Sequence, residues 1–281
     1  PLFTFYEYDL CNTEQMSMLE NQVKKEHSNG EIIYINCAAV VHTEHFYEVN
    51  NTFTTNVLGM KAFLDQAIRV GAAVYINCST SEVYSMESWN ENGGLCEDDF
   101  ITLATAEHSQ RTSYATGKLM TEFFIKDAVD KGLVRGCSIR FANVYSDNEL
   151  YPKHIIPHIL TSLKKDGSVT LLENSKVNRR TFLHNIDSCS SILELIASPE
   201  ALDGTIYNVA TEEEITIIDL VKLIGAKMGI AEPKLEFEGY RKSDPERRVL
   251  NTSKIKERTK WKATVTLDKG LDMCLEKISK R

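Results

Sequence analysis

Two short apolar runs about forty residues apart, joined by an amphipathic helical stretch, limit what this chain can fold into more than any other feature. The first is Glu31-Ile32-Ile33-Tyr34-Ile35-Asn36-Cys37-Ala38-Ala39, and the second is Ala73-Val74-Tyr75-Ile76-Asn77-Cys78-Ser79. Runs of this kind, bounded by turn or helix signals, suit strands buried on both faces in a parallel sheet. Between them Phe53, Val57, Met60, Phe63, Leu64, Ala67 and Ile68 recur at helical spacing, so a helix is expected from about Asn50 to Val70. The unit is strand, helix, strand. A third strand, Gly136 to Tyr145, follows a helix expected over Arg111 to Asp130. Ligands of such sheets bind beyond the carboxyl ends of the strands, where Thr80, Glu82 and Asn143 fall.

The second helix carries Ser113-Tyr114-Ala115-Thr116-Gly117-Lys118. Residues four apart share a helix face, so the Lys118 ammonium is expected beside the Tyr114 phenol, lowering its pKa from about 10 toward neutrality. Tyr114 is then a candidate general base. Thr80 and Glu82, in Ser79-Thr80-Ser81-Glu82-Val83-Tyr84, add a hydroxyl and a second base to the same site. The combination points to oxidation of a sugar hydroxyl. The Tyr-x-x-x-Lys spacing alone is weak; the strand context gives it weight.

These segments resemble the extended short-chain dehydrogenase/reductases that act on nucleotide sugars. The matching stretches are Cys37-Ala38-Ala39, Asn56-Val57-Leu58-Gly59, Ser79 to Tyr84, Tyr114 to Lys118, Arg140-Phe141-Ala142-Asn143-Val144-Tyr145, Arg180-Thr181-Phe182, Tyr207-Asn208-Val209-Ala210 and Arg241-Lys242-Ser243-Asp244. The resemblance implies an α/β fold: a Rossmann-type doubly wound parallel sheet over residues 1–145, with a smaller, interleaved substrate lobe over 146–281. It implies NAD as cofactor, contacted by Asp9, Leu10, Ala38, Ala39, Asn56, Tyr114 and Lys118. It assigns catalysis to Thr80, Glu82, Tyr114 and Lys118, and substrate binding to Ser81, Arg111, Asn143, Arg180 and Arg241, with no metal. Thr-Ser-Glu at 80–82, with Arg111 three residues before the tyrosine, looks most like decarboxylases of the UDP-glucuronate type. The 4,6-dehydratases carry Thr-Asp-Glu there, so Ser81 counts against an ordinary dehydratase. A 4,6-dehydratase or epimerase acting on a UDP- or dTDP-sugar is the alternative, and a catalytically inactive binding protein on the same fold is a third. Relatives of this type pair two helices with a symmetry mate, which implies a homodimer through the helices 50–70 and 111–130.

The chain departs from that family at its start. Members open with a strand and a Gly-x-x-Gly-x-x-Gly turn that holds the cofactor pyrophosphate at a helix N-terminus. No such turn occurs in this sequence. The chain opens instead at Phe3 to Leu10, which resembles the family's third strand and puts Asp9 where an adenine contact is expected. In the order 3-2-1-4-5-6, that strand has no neighbour without the first two, so roughly fifty to sixty further N-terminal residues are expected in the native protein.

Composition narrows the class. A net charge of -8 argues against nucleic-acid binding as the main role. With no run of eighteen apolar residues and no signal peptide at Pro1-Leu2-Phe3, a cytoplasmic enzyme is expected. Cys11, Cys37, Cys78, Cys96, Cys137, Cys189 and Cys274 form no C-x-x-C pair and read as reduced core residues. Residues 86–106, with Asn90-Glu91-Asn92-Gly93-Gly94 and the acidic Glu97-Asp98-Asp99, read as a surface loop and a solvated face. Further elements are expected at Ile155 to Lys165, Val169 to Leu172, Ile217 to Met228 with Thr216 as N-cap, and Leu267 to Ile278. His154 and His158 have ligand-like spacing but lack a third partner. Tyr8, Tyr75 and Tyr84 read as packing aromatics. Arg179-Arg180, Arg241 and Arg247-Arg248 suit a diphosphate and a sugar acid, Arg180 first.

Overall fold

The computed structural model describes residues 3–27, 30–42, 45–84, 94–101, 110–149, 151–241 and 244–279. It divides into two compact units that interleave along the chain. The first comprises Pro1–Ser85, Ile101–Arg140 and Leu195–Tyr207, and the second Met86–Phe100, Phe141–Glu194 and Asn208–Arg281.

The first unit is built on a sheet ordered β1-β2-β3-β8, of β1 (Ile33–Asn36), β2 (Val74–Thr80), β3 (Arg135–Phe141) and β8 (Asp203–Val209). β1 and β2 run parallel, with Ile33 opposite Val74 and Asn36 opposite Asn77. Helix α1 (Thr13–Glu26) starts at Asn12, whose side-chain oxygen accepts from the amides of Glu14 and Gln15. The crossover between β1 and β2 is α2 (Val49–Phe53), a wide π turn (Thr54–Gly59) and α3 (Met60–Arg69). Helix α4 (Gln110–Asp130) leads into β3. Met60, Leu64, Ala67, Tyr34, Tyr75, Ile125 and Ala128 pack together as the core between sheet and helices. Gly117 lets α4 come close to the π turn: a Cβ there would meet Val57 at 3.3 Å.

Polar contacts fix α4 over β2. Asn77 Nδ2 donates to Thr121 Oγ1 at 2.9 Å, and Ser79 Oγ donates to Glu122 Oε1 at 2.5 Å. From β3, Arg140 closes a bidentate pair on Glu122, with Nε to Oε1 at 3.0 Å and Nη2 to Oε2 at 2.7 Å. Both side chains are buried, and the guanidinium lies 4.8 Å from the centre of the Tyr84 ring. Tyr84 is thus more than a packing aromatic.

Three small sheets belong to the second unit. β4 (Val144–Tyr145) pairs parallel with β7 (Leu183–His184), β5 (Ser168–Leu171) pairs parallel with β10 (Lys234–Phe237), and β6 (Arg179–Thr181) pairs antiparallel with β9 (Glu214–Thr216). Helices α5 (Ile155–Asp166), α7 (Ile217–Lys227) and α9 (Leu267–Ser279) enclose a core of Ile159, Leu163, Leu220, Ile224 and Leu271. α6 (Asn185–Ile196) and α8 (Ser253–Arg258) complete the helices among the described residues. Thr216 caps α7 as its sequence suggests: its hydroxyl accepts from the Asp219 amide at 3.0 Å and donates to the Asp219 carboxylate at 2.7 Å.

Four expectations are corrected. The strand expected over Gly136 to Tyr145 is two strands, because Asn143 takes a positive φ of 39° and turns the chain between β3 and β4. Residues 3–10 are not a strand: Phe3 and Phe5 are 82% and 80% exposed, and among the described residues no strand pairs with them. Glu97 is buried, its carboxylate accepting from the Asn208 amide at 2.7 Å, so the acidic cluster is partly a lock on the second unit. The cysteines are not all core residues, since Cys11, Cys37 and Cys189 are exposed. Of the loop expected at 86–106, residues 86–93 and 102–106 lie outside the described residues.

The buried ion pair gives a testable ledger. Glu122→Leu alone, which strands the Arg140 charge, is expected to cost about 3–5 kcal/mol in urea denaturation, while Glu122→Leu with Arg140→Met costs clearly less. Equal losses in the two variants would contradict the pairing.

Candidate active site

At the carboxyl end of β2 the chain makes a single 3₁₀ turn, Ser81–Val83. Thr80 starts it: its Oγ1 accepts from the Glu82 amide at 3.2 Å, which fixes Ser81 and Glu82 directly after the strand. Ser81 is buried and Glu82 half-buried.

Tyr114 and Lys118 lie on the face of α4 that carries Thr121 and Glu122, the side stitched to β2 and β3. Lys118 is 3% exposed, and its ammonium donates to the Cys78 carbonyl at 2.7 Å. Burial lowers its pKa, opposed by the thiols of Cys78 and Cys37 and by Glu122. Tyr114 is stacked on Phe46, with ring centres 4.3 Å apart and planes 9° from parallel. Phe46 is held in turn by Ser113, whose hydroxyl donates to the Phe46 carbonyl at 2.5 Å.

The expected lowering of the Tyr114 pKa is reversed. Burial pushes the phenol up to about 12, and the charge of Glu82 adds to the rise; a hydrogen bond with Thr80 opposes it. Helical spacing brings Lys118 to the right face, but its ammonium reaches the strand carbonyl, and desolvation dominates at the phenol. Thr80, Glu82, Tyr114 and Lys118 nonetheless meet around one strand end.

Asn56, expected at the cofactor, is 1% exposed and commits its amide to the loop after β1: Oδ1 accepts from the Val40 amide at 2.6 Å and Nδ2 donates to the Val40 carbonyl at 3.2 Å. It shapes the loop holding Ala38 and Ala39, and it does so from inside the π turn, a distortion common at functional sites. The Ala38 amide donates to Asn36 Oδ1 at 3.2 Å. Asp9 is exposed, its carboxylate accepting from the Cys11 amide at 2.9 Å; Leu10 is half-buried. Phe46 and the Val40 clamp were not legible from the sequence, because each depends on a partner distant along the chain.

In the second unit, Asn143 Nδ2 donates to the Thr181 carbonyl at 2.9 Å. Arg180 is not a lone cation: Nη2 meets Asp244 at 3.1 Å and Nη1 donates to the carbonyls of Arg179 and Glu246. In this state the guanidinium expected to hold a sugar carboxylate is engaged within its own unit. The Arg241 backbone is held by Asn174 at 2.7 and 3.0 Å. Arg111 lies in α4, but its side chain is outside the described residues. His154 meets Glu149 at 3.1 Å, and His158 Nε2 lies 2.8 Å from the Thr170 carbonyl.

The first unit's residues suit the nicotinamide half of a dinucleotide. Lys118 has three N–H donors, of which the Cys78 carbonyl takes one. Ala38 and Ala39 leave the end of β1 free of bulky side chains. No Gly-x-x-Gly-x-x-Gly turn for the pyrophosphate occurs in the sequence.

The chain is 24% identical over 281 residues to a dTDP-D-glucose 4,6-dehydratase of Mus musculus, covering 98% of this chain and 73% of that protein. It is 28% identical over 224 residues to a dTDP-glucose 4,6-dehydratase of Streptomyces antibioticus, covering 78% of this chain and 62% of the relative. The crystal structure of a double mutant of DesIV, a dTDP-glucose 4,6-dehydratase from Streptomyces venezuelae, with NAD and DAU bound superposes with a TM-score of 0.82 at 20% identity, over 98% of this chain and 79% of that one. The chain is thus shorter than the proteins it matches, spanning under two thirds of the S. antibioticus relative. The sequence model of the NAD dependent epimerase/dehydratase family matches residues 2–210, and the chain belongs to that family.

Proposed function

We propose that this chain oxidises C4 of a nucleotide-linked hexose and then eliminates water between C5 and C6, as a nucleotide-sugar 4,6-dehydratase. The observation that carries the reading is the cluster of Thr80, Glu82, Tyr114 and Lys118 at the end of β2, which holds one phenol and one carboxylate as separate bases. The dehydratase relatives support it. NAD, when bound, supplies reversible hydride acceptance. Tyr114 takes the proton of the C4 hydroxyl, with Thr80 hydrogen-bonding at the same place, while Lys118 on the same helix face is anchored on the Cys78 carbonyl with donors left for the cofactor. Glu82 then takes the C5 proton, made acidic by the C4 ketone, as the C6 hydroxyl leaves as water; the hydride taken from C4 would return to C6 with a proton to C5, which gives the 4-keto-6-deoxy sugar.

Decarboxylation of a UDP-glucuronate-type sugar is the second reading. Ser81 favours it, since loss of carbon dioxide needs no acid at C6, whereas the engagement of Arg180 by Asp244 counts against it. Arg241 and Asn143 are the proposed contacts to the nucleotide and sugar.

The two readings separate on substrate. With NAD present, dTDP- or UDP-glucose is expected to give a 4-keto-6-deoxy sugar; turnover of UDP-glucuronate alone would overturn the first reading in favour of the second. Tyr114→Phe is expected to cut either reaction by about a hundredfold or more. Glu82→Gln should still oxidise C4 and accumulate reduced nicotinamide with a 4-keto sugar, seen by absorbance.

A pH test addresses the phenol itself. Its folded-state pKa of about 12 lies above the ordinary 10.0, so its contribution to stability is full below pH 10 and is lost as pH rises from 10 to 12. Denaturation midpoints of the wild type should therefore fall more steeply over that window than those of Tyr114→Phe. Parallel curves would rule out the raised pKa.

A twofold dimer through the π-turn helix and α4 is also proposed. Leu58, Met120 and Phe123 are 64%, 42% and 59% exposed on these segments, more apolar surface than a lone helix face tolerates. Light scattering at micromolar concentration should give the dimer mass for the wild type and the monomer mass for Phe123→Asp.

A further inference from the structure

The first unit also holds a pair of thiols that the sugar reaction does not use. Cys37 follows the last residue of β1, and Cys78 follows Asn77 in β2. Because Asn36 stands opposite Asn77 in the parallel register, the next step along both strands brings the two cysteines side by side. Their sulfurs are 3.4 Å apart. Neighbouring strands lie about 4.8 Å apart, within the Cα separations a disulfide accepts, so bridging needs no large backbone movement. Both are free thiols, Cys37 exposed and Cys78 partly so.

We propose that Cys37 and Cys78 form a redox-active dithiol, with Cys37 the attacking thiol, Cys78 the resolving thiol and hydrogen peroxide the oxidant. The other thiols lack this arrangement: Cys11 contacts the Thr54 carbonyl, Cys96 the Gly94 carbonyl and Cys274 the Ser146 carbonyl, while Cys137 is fully buried.

The pair is asymmetric in the way such chemistry requires. The hydrogen bond from Cys78, aided by the Lys118 charge and opposed by burial, brings Cys37 down to about 7; the same contact, with burial, pushes Cys78 well above the ordinary thiol range. Exposure runs the same way: Cys37, open to solvent, is the thiol placed to meet an oxidant as thiolate, and the half-buried Cys78 is placed to resolve it. In the first step the Cys37 sulfur attacks a peroxide oxygen: an S–O bond forms, the O–O bond breaks, and hydroxide leaves to become water. Cys37 is oxidised to the sulfenic acid. In the second, the Cys78 sulfur attacks Cys37: the S–S bond forms, the S–O bond breaks, and hydroxyl departs with the Cys78 proton as a second water. One peroxide oxidises two thiols to one disulfide.

The position gives the bridge a consequence. The Cys78 carbonyl is the acceptor that holds Lys118, and the Cys37 thiolate is one of the negative groups offsetting the buried ammonium. Oxidation removes that thiolate while leaving the carbonyl, so the redox state of the pair is felt at the lysine.

The test needs no turnover and stands apart from the choice of sugar. The full chain, with and without added hydrogen peroxide, is alkylated with iodoacetamide, digested and mapped by mass spectrometry. A peptide linking Cys37 to Cys78 within one chain is expected after oxidation, and dithiothreitol should restore both alkylation sites. In Cys78→Ala the sulfenic acid of Cys37 should instead accumulate and be captured by dimedone. Before oxidation, Cys37 should alkylate about threefold or more faster than the exposed Cys189, the net of its larger thiolate fraction and its lower intrinsic nucleophilicity. Oxidised wild type in which Cys37 and Cys78 remain fully alkylated, or in which Cys37 links to another cysteine or another chain, would overturn the proposal.

Discussion

The buried pair of Glu122 and Arg140 is the interaction on which the first unit depends. Burying two charges is costly, and a bidentate bridge recovers that cost only when the remaining polar atoms are satisfied. Here Ser79 supplies a further donor to the carboxylate and Tyr84 lies against the guanidinium. Such a pair contributes geometry more than net stability. It joins β2, β3 and α4 at one point, and together with Asn77–Thr121 and Lys118–Cys78 it fixes the rotation of α4 about its own axis. Rotating the helix by one residue would turn Tyr114 and Lys118 away from Thr80. The candidate cluster is therefore a consequence of a structural lock made eight residues beyond Tyr114 on the same helix.

What could be read in the sequence was local. The strands around Ile33 and Val74, the helix bearing Tyr114 and the Thr216 cap follow from periodicity and from contacts three or four residues apart. The end of β3 did not, because the break rests on one residue, Asn143, whose backbone adopts a left-handed conformation while its amide holds Thr181. The π turn is equally silent in the sequence. An apolar stripe at helical spacing continues through it, and only the Asn56 clamp on Val40 shows why the helix widens there. Arg180 is the plainest case: nothing in its neighbourhood announces that Asp244 will neutralise it.

The electrostatics of the site show why spacing and pKa are separate questions. A lysine four residues after a tyrosine shares its face, yet a long, flexible side chain ends where the best acceptor is, and in this fold that is the Cys78 carbonyl. The phenol, stacked on Phe46 in a half-buried position, loses water without gaining a close cation, and its pKa rises. The same ammonium lowers the thiol of Cys37, so the buried charge acts on the dithiol and not on the candidate base.

In the proposed reaction, the chemistry after C4 oxidation turns on Thr80, Ser81 and Glu82 at the end of β2. Loss of water from C6 requires a base for the C5 proton and an acid for the departing hydroxyl, whereas loss of carbon dioxide requires neither. Thr80 and Ser81 are hydroxyls with no useful acidity near neutrality, so Glu82 is the single carboxyl that the turn offers. If water leaves, the carboxyl that takes the C5 proton must be the one that returns it to the C6 hydroxyl, and both atoms have to lie on the same face of the sugar. A half-buried Glu82, fixed by a turn whose first hydroxyl also hydrogen-bonds Tyr114, is placed to pass one proton over that short distance. On this argument Ser81 does not abolish dehydration; it moves the acid's task onto the base.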